Sequence, residues 1–257
     1  MSAPRLSITE PHGPDGAPLL VLGPSLGTST ILWEDAEPLL RERVRTAAWD
    51  LPGHGHSPAA TDAFSVDDLA DAVVAAVHDL GERTFHAAGV SLGGAVGLAL
   101  ALRHPGRVLS SSVICSGARI GTAESWAERA ATVRSTGTAS LVVPSAQRWF
   151  APTSLERHPV LTGRLLHALR DADDESYALC CEALARFDVR DRLGEIAQPV
   201  LALWGEHDAV TPEALAVDIA RGVQHGRVER IAEAAHLAPA EQAEAVAREI
   251  LRTVTGE

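Results

Sequence analysis

Thr84-Phe85-His86-Ala87-Ala88-Gly89-Val90-Ser91-Leu92-Gly93-Gly94-Ala95 reads as a strand, a turn and the start of a helix. Phe85 to Val90 is a short apolar run of strand length. From Gly93 an Ala- and Leu-rich stretch continues to about Arg103, where His104-Pro105-Gly106 stops it. At the centre, Gly89-x-Ser91-x-Gly93 has the spacing of a nucleophile elbow. That turn puts the serine at a sharp, strained corner, and small residues at 89 and 93 let strand and helix approach closely. The first N–H groups of the helix then face the site and favour developing negative charge. The spacing alone is common; the apolar strand before it and the helix after it separate it from an ordinary Gly-rich turn.

On both sides of this unit the chain alternates short apolar runs with longer helical patterns. Leu19 to Leu22, Thr46 to Trp49, Phe85 to Val90, Val108 to Cys115, Val200 to Trp204 and Arg227 to Ile231 read as strands, several of them continuously apolar. Ser65, followed by Asp67, Asp68 and Asp71, caps a helix running to Leu80 before Gly81. A last helix covers about Glu241 to Val254. This alternation implies an α/β fold with a mostly parallel central sheet flanked by helices. From Arg119 to about Glu195 no strand pattern appears, only helical segments broken by Gly137, Pro144, Pro152, Pro159 and Gly163. The expected division is therefore a core of 1–118 and 196–257, with a helical cap of 119–195 inserted late in the sheet.

Bulk composition narrows the chemistry. All 22 basic side chains are Arg, so Schiff-base catalysis, covalent pyridoxal phosphate and a P-loop are excluded. A net charge of −12 argues against nucleic acid as a partner. No apolar run reaches the roughly 18–20 residues of a membrane span. Met1-Ser2-Ala3-Pro4-Arg5 lacks the apolar core of a secretory signal, and Cys115, Cys180 and Cys181 are an odd set with two adjacent members. A reduced, cytoplasmic setting is the expectation.

A serine nucleophile needs a base and the base an orienting carboxylate, here in chain order Ser, Asp/Glu, His. His236 follows the last strand, at the carboxyl edge of a parallel sheet where open α/β folds place their sites. Asp208 follows the Val200 strand in Gly205-Glu206-His207-Asp208-Ala209-Val210-Thr211-Pro212. Glu206 competes, but Asp208 is nearer the loop tip, and the earlier Ile114-Cys115-Ser116-Gly117 strand end offers no acid. Ser91, Asp208 and His236 are the expected catalytic set. The backbone N–H groups of Leu92 and of Leu26, in Gly23-Pro24-Ser25-Leu26-Gly27-Thr28-Ser29, are the expected oxyanion hole. Ser25, Thr28 or Ser29 could instead position substrate. His54 and His56 would need further ligands at workable spacing, and His207-Asp208 is the only nearby pair, so no metal is expected; their Pro-Gly-His-Gly turn reads as structural.

At these residues the chain resembles the α/β-hydrolase superfamily and, within it, the 3-oxoadipate enol-lactonases, over nearly its whole length. The shared loops are Pro24-Ser25-Leu26-Gly27-Thr28, Trp49-Asp50-Leu51-Pro52-Gly53-His54-Gly55-His56-Ser57, the elbow, Gly205-Glu206-His207-Asp208 and Ala235-His236-Leu237. Ala118-Arg119-Ile120-Gly121-Thr122 with Trp126, Arg148-Trp149-Phe150 and Tyr177-Ala178-Leu179-Cys180-Cys181-Glu182-Ala183-Leu184 are the more lactonase-like stretches. Pro24 departs from relatives that carry Asn or His before Ser-Leu-Gly. The resemblance implies ring opening of a small anionic enol-lactone in aromatic-compound breakdown, through an acyl-enzyme on Ser91 and with no cofactor.

Charge distribution bears on that substrate. From Arg119 to Arg170, seven Arg stand against three acids, leaving +4 there and −16 over the rest. A basic segment over the mouth of an acidic protein suits an anion. Arg119 and Arg148 are the expected carboxylate clamp, with Trp126 and Trp149 as pocket walls and Ser25 beside them. Two other readings fit the same residues: another serine-triad carboxylesterase or carbon–carbon bond hydrolase, and a non-catalytic ligand-binding hydrolase fold.

Overall fold

The computed structural model describes residues 4–256; residues 1–3, part of the stretch read above for a leader, and residue 257 lie outside it. Six strands form one sheet: β1 (Leu19–Gly23), β2 (Arg45–Ala48), β3 (Phe85–Val90), β4 (Val108–Ile114), β5 (Pro199–Gly205) and β6 (His225–Ile231). Every neighbouring pair is parallel, in the order β2-β1-β3-β4-β5-β6. β1 and β3 are buried along their full lengths, because helices cover both faces of the centre. The segment before β1 closes the β2 edge with isolated antiparallel bridges, Ile8 to Trp49 and His12 to Thr46.

This order fixes where a site belongs. The chain leaves β1 for β2 on one side, then crosses back to lay β3 on the other. The reversal point lies between the carboxyl ends of β1 and β3, where open α/β sheets bind ligands. The loop from Gly23 and the turn at Ser91 therefore meet there.

The helix expected from Ser65 runs Val66–Asp79 with a full capping box: Ser65 Oγ accepts the Asp68 N–H at 3.1 Å, and Asp68 accepts the Ser65 N–H at 2.8 Å. It packs on the Leu92–Arg103 helix, which is buried from Leu92 through Ala101. The small residues of the second helix let it lie close on the sheet: at Gly97 a Cβ would stand 2.8 Å from Ser111 Oγ on β4.

Most strand ends shift by a residue or two, and two departures bear on the site. The strand ending at Cys115 stops at Ile114, because Cys115 turns into a left-handed conformation, φ 46°. The final helix is Ala243–Thr255, preceded by a separate turn, Ala238–Glu241; Glu241 is buried and engaged with other segments. Between β4 and β5 the described residues contain only helices, chiefly Ala123–Thr136, Val142–Trp149, Pro159–Asp171 and Asp174–Arg186. No described helix is long and apolar enough to cross a membrane.

Candidate active site

Ser91 directly follows β3, at φ 55° and ψ −112°, a conformation that side-chain-bearing residues rarely hold. Close packing imposes it. A Cβ on Gly89 would overlap the Gly93 carbonyl, and one on Gly93 would stand 2.6 Å from the Pro24 carbonyl oxygen. Gly93 N–H donates to that same oxygen at 3.0 Å, so the loop after β1 lies against the first turn of the elbow helix. Among the described residues no protein acceptor takes the N–H of Leu92 or of Leu26.

Asp208 and His236 follow β5 and β6, and the structure joins them. His236 Nδ1 stands 2.9 Å from Asp208 Oδ2, with both side chains buried. The other carboxylate oxygen accepts the Val210 and Thr211 N–H groups at 2.8 and 3.1 Å, and Thr211 Oγ1 donates to Oδ2 at 2.6 Å. Burial pushes the Asp208 pKa up, but His236 and the Thr211 donors outweigh it and hold the group below the ordinary range. The carboxylate is thus ionised and aimed. Glu206 points elsewhere: it pairs with Arg230 at 2.9 Å and accepts the Glu233 N–H at 3.1 Å.

The His236 loop is tied to the elbow through residues 115 and 116. Cys115 Sγ donates to the Ala235 carbonyl at 3.4 Å, and Ser116 Oγ donates to the Ser91 carbonyl at 2.7 Å. Burial raises the Cys115 thiol well above its ordinary pKa, so it serves packing and not thiolate chemistry. Ser91, Asp208 and His236 are 5 %, 6 % and 2 % exposed.

The helical insertion covers this edge of the sheet. The Trp149 carbonyl accepts both the His236 and Leu237 N–H groups, at 3.1 and 3.2 Å. The Trp149 ring lies against Gly27, the residue after Leu26. Ser25 is buried in the same loop. Beside the Asp208 turn opens a cleft of about 480 Å³, walled by Trp126, Arg129, Ser145 and Arg148 and by Ala209 and Val210. Arg129 Nε donates to Tyr177 Oη at 2.9 Å, and its guanidinium lies 5.9 Å from the Trp126 ring and 5.8 Å from the Tyr177 ring. Arg148 is exposed at the lip. Desolvation by the cleft wall, then repulsion from Arg129, still lowers its pKa.

Arg119, Trp149 and Ser25 do not line the cleft: the charge of Arg119 acts on Glu124 and Asp188, and Trp149 is turned to Gly27 and the His236 loop. The +4 segment is also largely neutralised by carboxylates that lie outside it. Arg134 pairs with Glu175 and Glu182, Arg157 with Glu233, and Arg164 with Glu34; Arg170 pairs with the adjacent Asp171. What remains at the cleft is Arg129 and Arg148, close enough to act on each other's charge, with Glu128 on the same lining, and Arg129 is the residue that sequence reasoning missed. Its signal was present: Trp126 and Arg129 are three apart and share a helix face. No group of three or more potential metal ligands exists among the described residues.

A profile for the alpha/beta hydrolase family matches residues 19–249. The chain is 34 % identical over 228 residues to 3-oxoadipate enol-lactonase 2 of Acinetobacter baylyi, covering 89 % of this chain and 85 % of that one. To 3-oxoadipate enol-lactonase 1 of the same organism it is 32 % identical over 233 residues, 91 % and 87 % of the two chains. The crystal structure of the enol-lactonase from Burkholderia xenovorans LB400 superposes with a TM-score of 0.93 at 30 % identity, over 97 % of this chain and 96 % of that one. With an all-parallel sheet, a strained serine at its switch point and a family match spanning all six strands, the chain belongs to the alpha/beta hydrolase family.

Proposed function

We propose that the protein opens 3-oxoadipate enol-lactone, or a close anionic analogue, to the open-chain keto acid in aromatic-compound breakdown, with residues 119–195 as the substrate-holding cap. Ser91 Oγ attacks the lactone carbonyl while His236 Nε2 takes its proton, and Asp208 holds the imidazole through Nδ1. The Leu26 and Leu92 N–H groups receive the oxyanion. Collapse breaks the ring C–O bond; the departing enolate takes the proton from His236 and ketonises. Water, deprotonated by His236, then attacks the acyl carbonyl and frees Ser91. No cofactor enters this sequence.

The observation that carries an anionic substrate is that Arg129 and Arg148 line one cleft beside the Asp208 turn, with neither guanidinium paired to a carboxylate among the described residues. Two neighbouring cations repel each other, and a substrate carboxylate between them relieves that repulsion. Trp126 supplies an apolar wall. Enol-lactonase relatives at about this distance support the lactone over a general ester.

The test is to feed purified protein the enol-lactone and follow loss of its ultraviolet absorbance. Ser91→Ala is expected to lower kcat by at least about 10³-fold. Arg129→Met and Arg148→Met are each expected to raise KM for the lactone about 10–100-fold, the worth of a charge-assisted hydrogen bond, while sparing 4-nitrophenyl acetate. Equal losses on both substrates would remove the anion site from the reading. Brisk turnover of the neutral ester with indifference to the lactone would make the protein a simple carboxylesterase.

A further inference from the structure

A trans peptide is planar, so each N–H points away from the carbonyl of the residue before it. The direction of the Leu26 N–H is therefore set by the Ser25 carbonyl, and that of the Leu92 N–H by the Ser91 carbonyl. Both carbonyls are held from behind. Ser25 O accepts Thr28 Oγ1 at 2.8 Å as well as the Thr28 N–H at 3.0 Å. Ser91 O accepts Ser116 Oγ at 2.7 Å as well as the Ala95 N–H at 2.9 Å. The amide donors come with any tight turn or helix; the hydroxyls are additional, and they arrive from different loops.

We infer that Thr28 and Ser116 are positioning residues of the oxyanion hole, each hydroxyl fixing one of the two peptide units whose N–H groups meet the developing charge. The inference rests on the reading of Ser91 as nucleophile and of Leu26 and Leu92 as donors. Thr28 is 0 % and Ser116 3 % exposed, so water does not compete for either bond. A donor on a carbonyl also polarises its peptide unit, which strengthens the N–H on the opposite side. Catalysis of this kind depends on donors oriented before charge develops, and a fixed peptide plane supplies that orientation.

The surrounding structure is shaped for these two bonds. At Gly94 a Cβ would stand 2.6 Å from Ser116 Cβ and 2.8 Å from Ser116 Oγ, so any larger residue there would push the hydroxyl off the Ser91 carbonyl. The left-handed Cys115 turns the chain to deliver Ser116. On the other side Gly27, φ 83°, completes the turn that brings Thr28 back to Ser25, and the cap leaves no room for a side chain there. His54 Nε2 takes the Gly27 N–H at 3.2 Å and fixes the next peptide unit as well.

The test uses the whole chain, 4-nitrophenyl acetate as a small neutral substrate, and an alkyl trifluoromethyl ketone as a probe that forms a tetrahedral adduct on the serine. Thr28→Val and Ser116→Ala are each expected to lower kcat about 5–50-fold, less than loss of a whole oxyanion donor, with KM within about twofold. Affinity for the ketone is expected to fall by the same factor as kcat/KM, and Thr28→Ser to restore most of the loss. A role confined to stability would move the denaturation midpoint without this split. Folded Thr28→Val and Ser116→Ala proteins with unchanged kcat, or with lowered kcat and undiminished ketone affinity, would overturn the inference. If Thr28→Val does not fold, Ser116→Ala on the separate loop decides alone. Ester turnover that survives Ser91→Ala would overturn the reading of the site itself, an outcome that does not depend on either hydroxyl.

Discussion

His54 shows how much a single buried ring can fix. Gly27 N–H can only donate, so Nε2 accepts it; Nδ1 therefore carries the proton and donates to the Pro52 carbonyl at 2.8 Å. The ring also stacks on Tyr177, centroids 6.0 Å apart, which links the loop after β1 to the residue that holds Arg129. Burial lowers the His54 pKa; the Pro52 carbonyl and the Asp50 and Asp173 carboxylates oppose it without prevailing. The unfolded chain takes up a proton near the ordinary histidine value of about 6.5, and the folded one resists. The stability from this neutral ring is thus complete above about pH 6.5 and is lost as pH falls from there toward the folded-state value. His86, buried on β3 and lowered to about 4, acts with the same sign over the window from 6.5 to about 4. Urea midpoints at pH 7.5 and pH 5 are expected to fall for the parent protein, and to fall less for His54→Gln. That variant offers Gly27 an acceptor that does not titrate. An unchanged difference between the two pH values would take His54 out of the acid response.

At the scale of elements, strands and elbow were legible because their determinants are local. The six runs read as strands became the six strands because each carries its residue pattern within four to seven positions, and Ser65 with Asp68 capped its helix through hydrogen bonds three residues apart. Asp208 and His236 were readable for a related reason: parallel topology leaves the loops after β5 and β6 side by side at one edge. The cleft was not readable. Which of Arg119, Arg129 and Arg148 faces it depends on how the Ala123–Thr136 helix packs on Asp174–Arg186, and that packing joins residues some fifty apart in sequence. The count of +4 failed likewise, because its carboxylate partners Glu34, Glu175, Glu182 and Glu233 lie outside the counted stretch. The elbow's local demand yields a sharp contrast between glycines. At Gly89 a Cβ meets the Gly93–Gly94 backbone, which cannot yield, whereas at Gly163, inside the Pro159–Asp171 helix, nothing lies within 4 Å. Gly89→Ala is expected to destabilise by about 1–3 kcal/mol or more and to lower kcat, as overpacking against backbone does. Gly163→Ala is expected to gain about 0.5–1 kcal/mol from helix propensity with activity unchanged. Urea denaturation with 4-nitrophenyl acetate turnover reads both, and a harmless Gly89→Ala would mean the turn relaxes more easily than its packing implies.

Across the whole molecule, the sheet and the helical insertion are fastened to each other at the His236 loop. Glu241, 3 % exposed, accepts the Ala151 N–H and the Ser154 hydroxyl at 2.6 Å each through one oxygen, and the Ala235 N–H at 2.8 Å through the other. One carboxylate therefore joins the stretch after Trp149 to the residue before His236, parallel to the bonds from the Trp149 carbonyl. Burial raises the Glu241 pKa even though all three donors and His236 favour the charge. A raised folded-state value means that the folded protein binds more protons than the unfolded chain between the ordinary value and its own. Stability from this group therefore declines as pH rises through that window, opposite in sign to His54. The charge is retained at that cost because only a carboxylate accepts at both ends. In Glu241→Gln one end becomes an NH₂ group facing a donor, and that donor is left unsatisfied in a buried place. The expected result is a loss of about 1–3 kcal/mol in urea denaturation. Because the donor released adjoins His236 or the Trp149 stretch that holds it, a lower kcat on both lactone and neutral ester is expected with it. Glu241→Ala frees all three donors and is expected to cost more in stability. If Glu241→Gln matches the parent protein in both midpoint and kcat, the Trp149 carbonyl alone suffices to hold the His236 loop against the helical insertion.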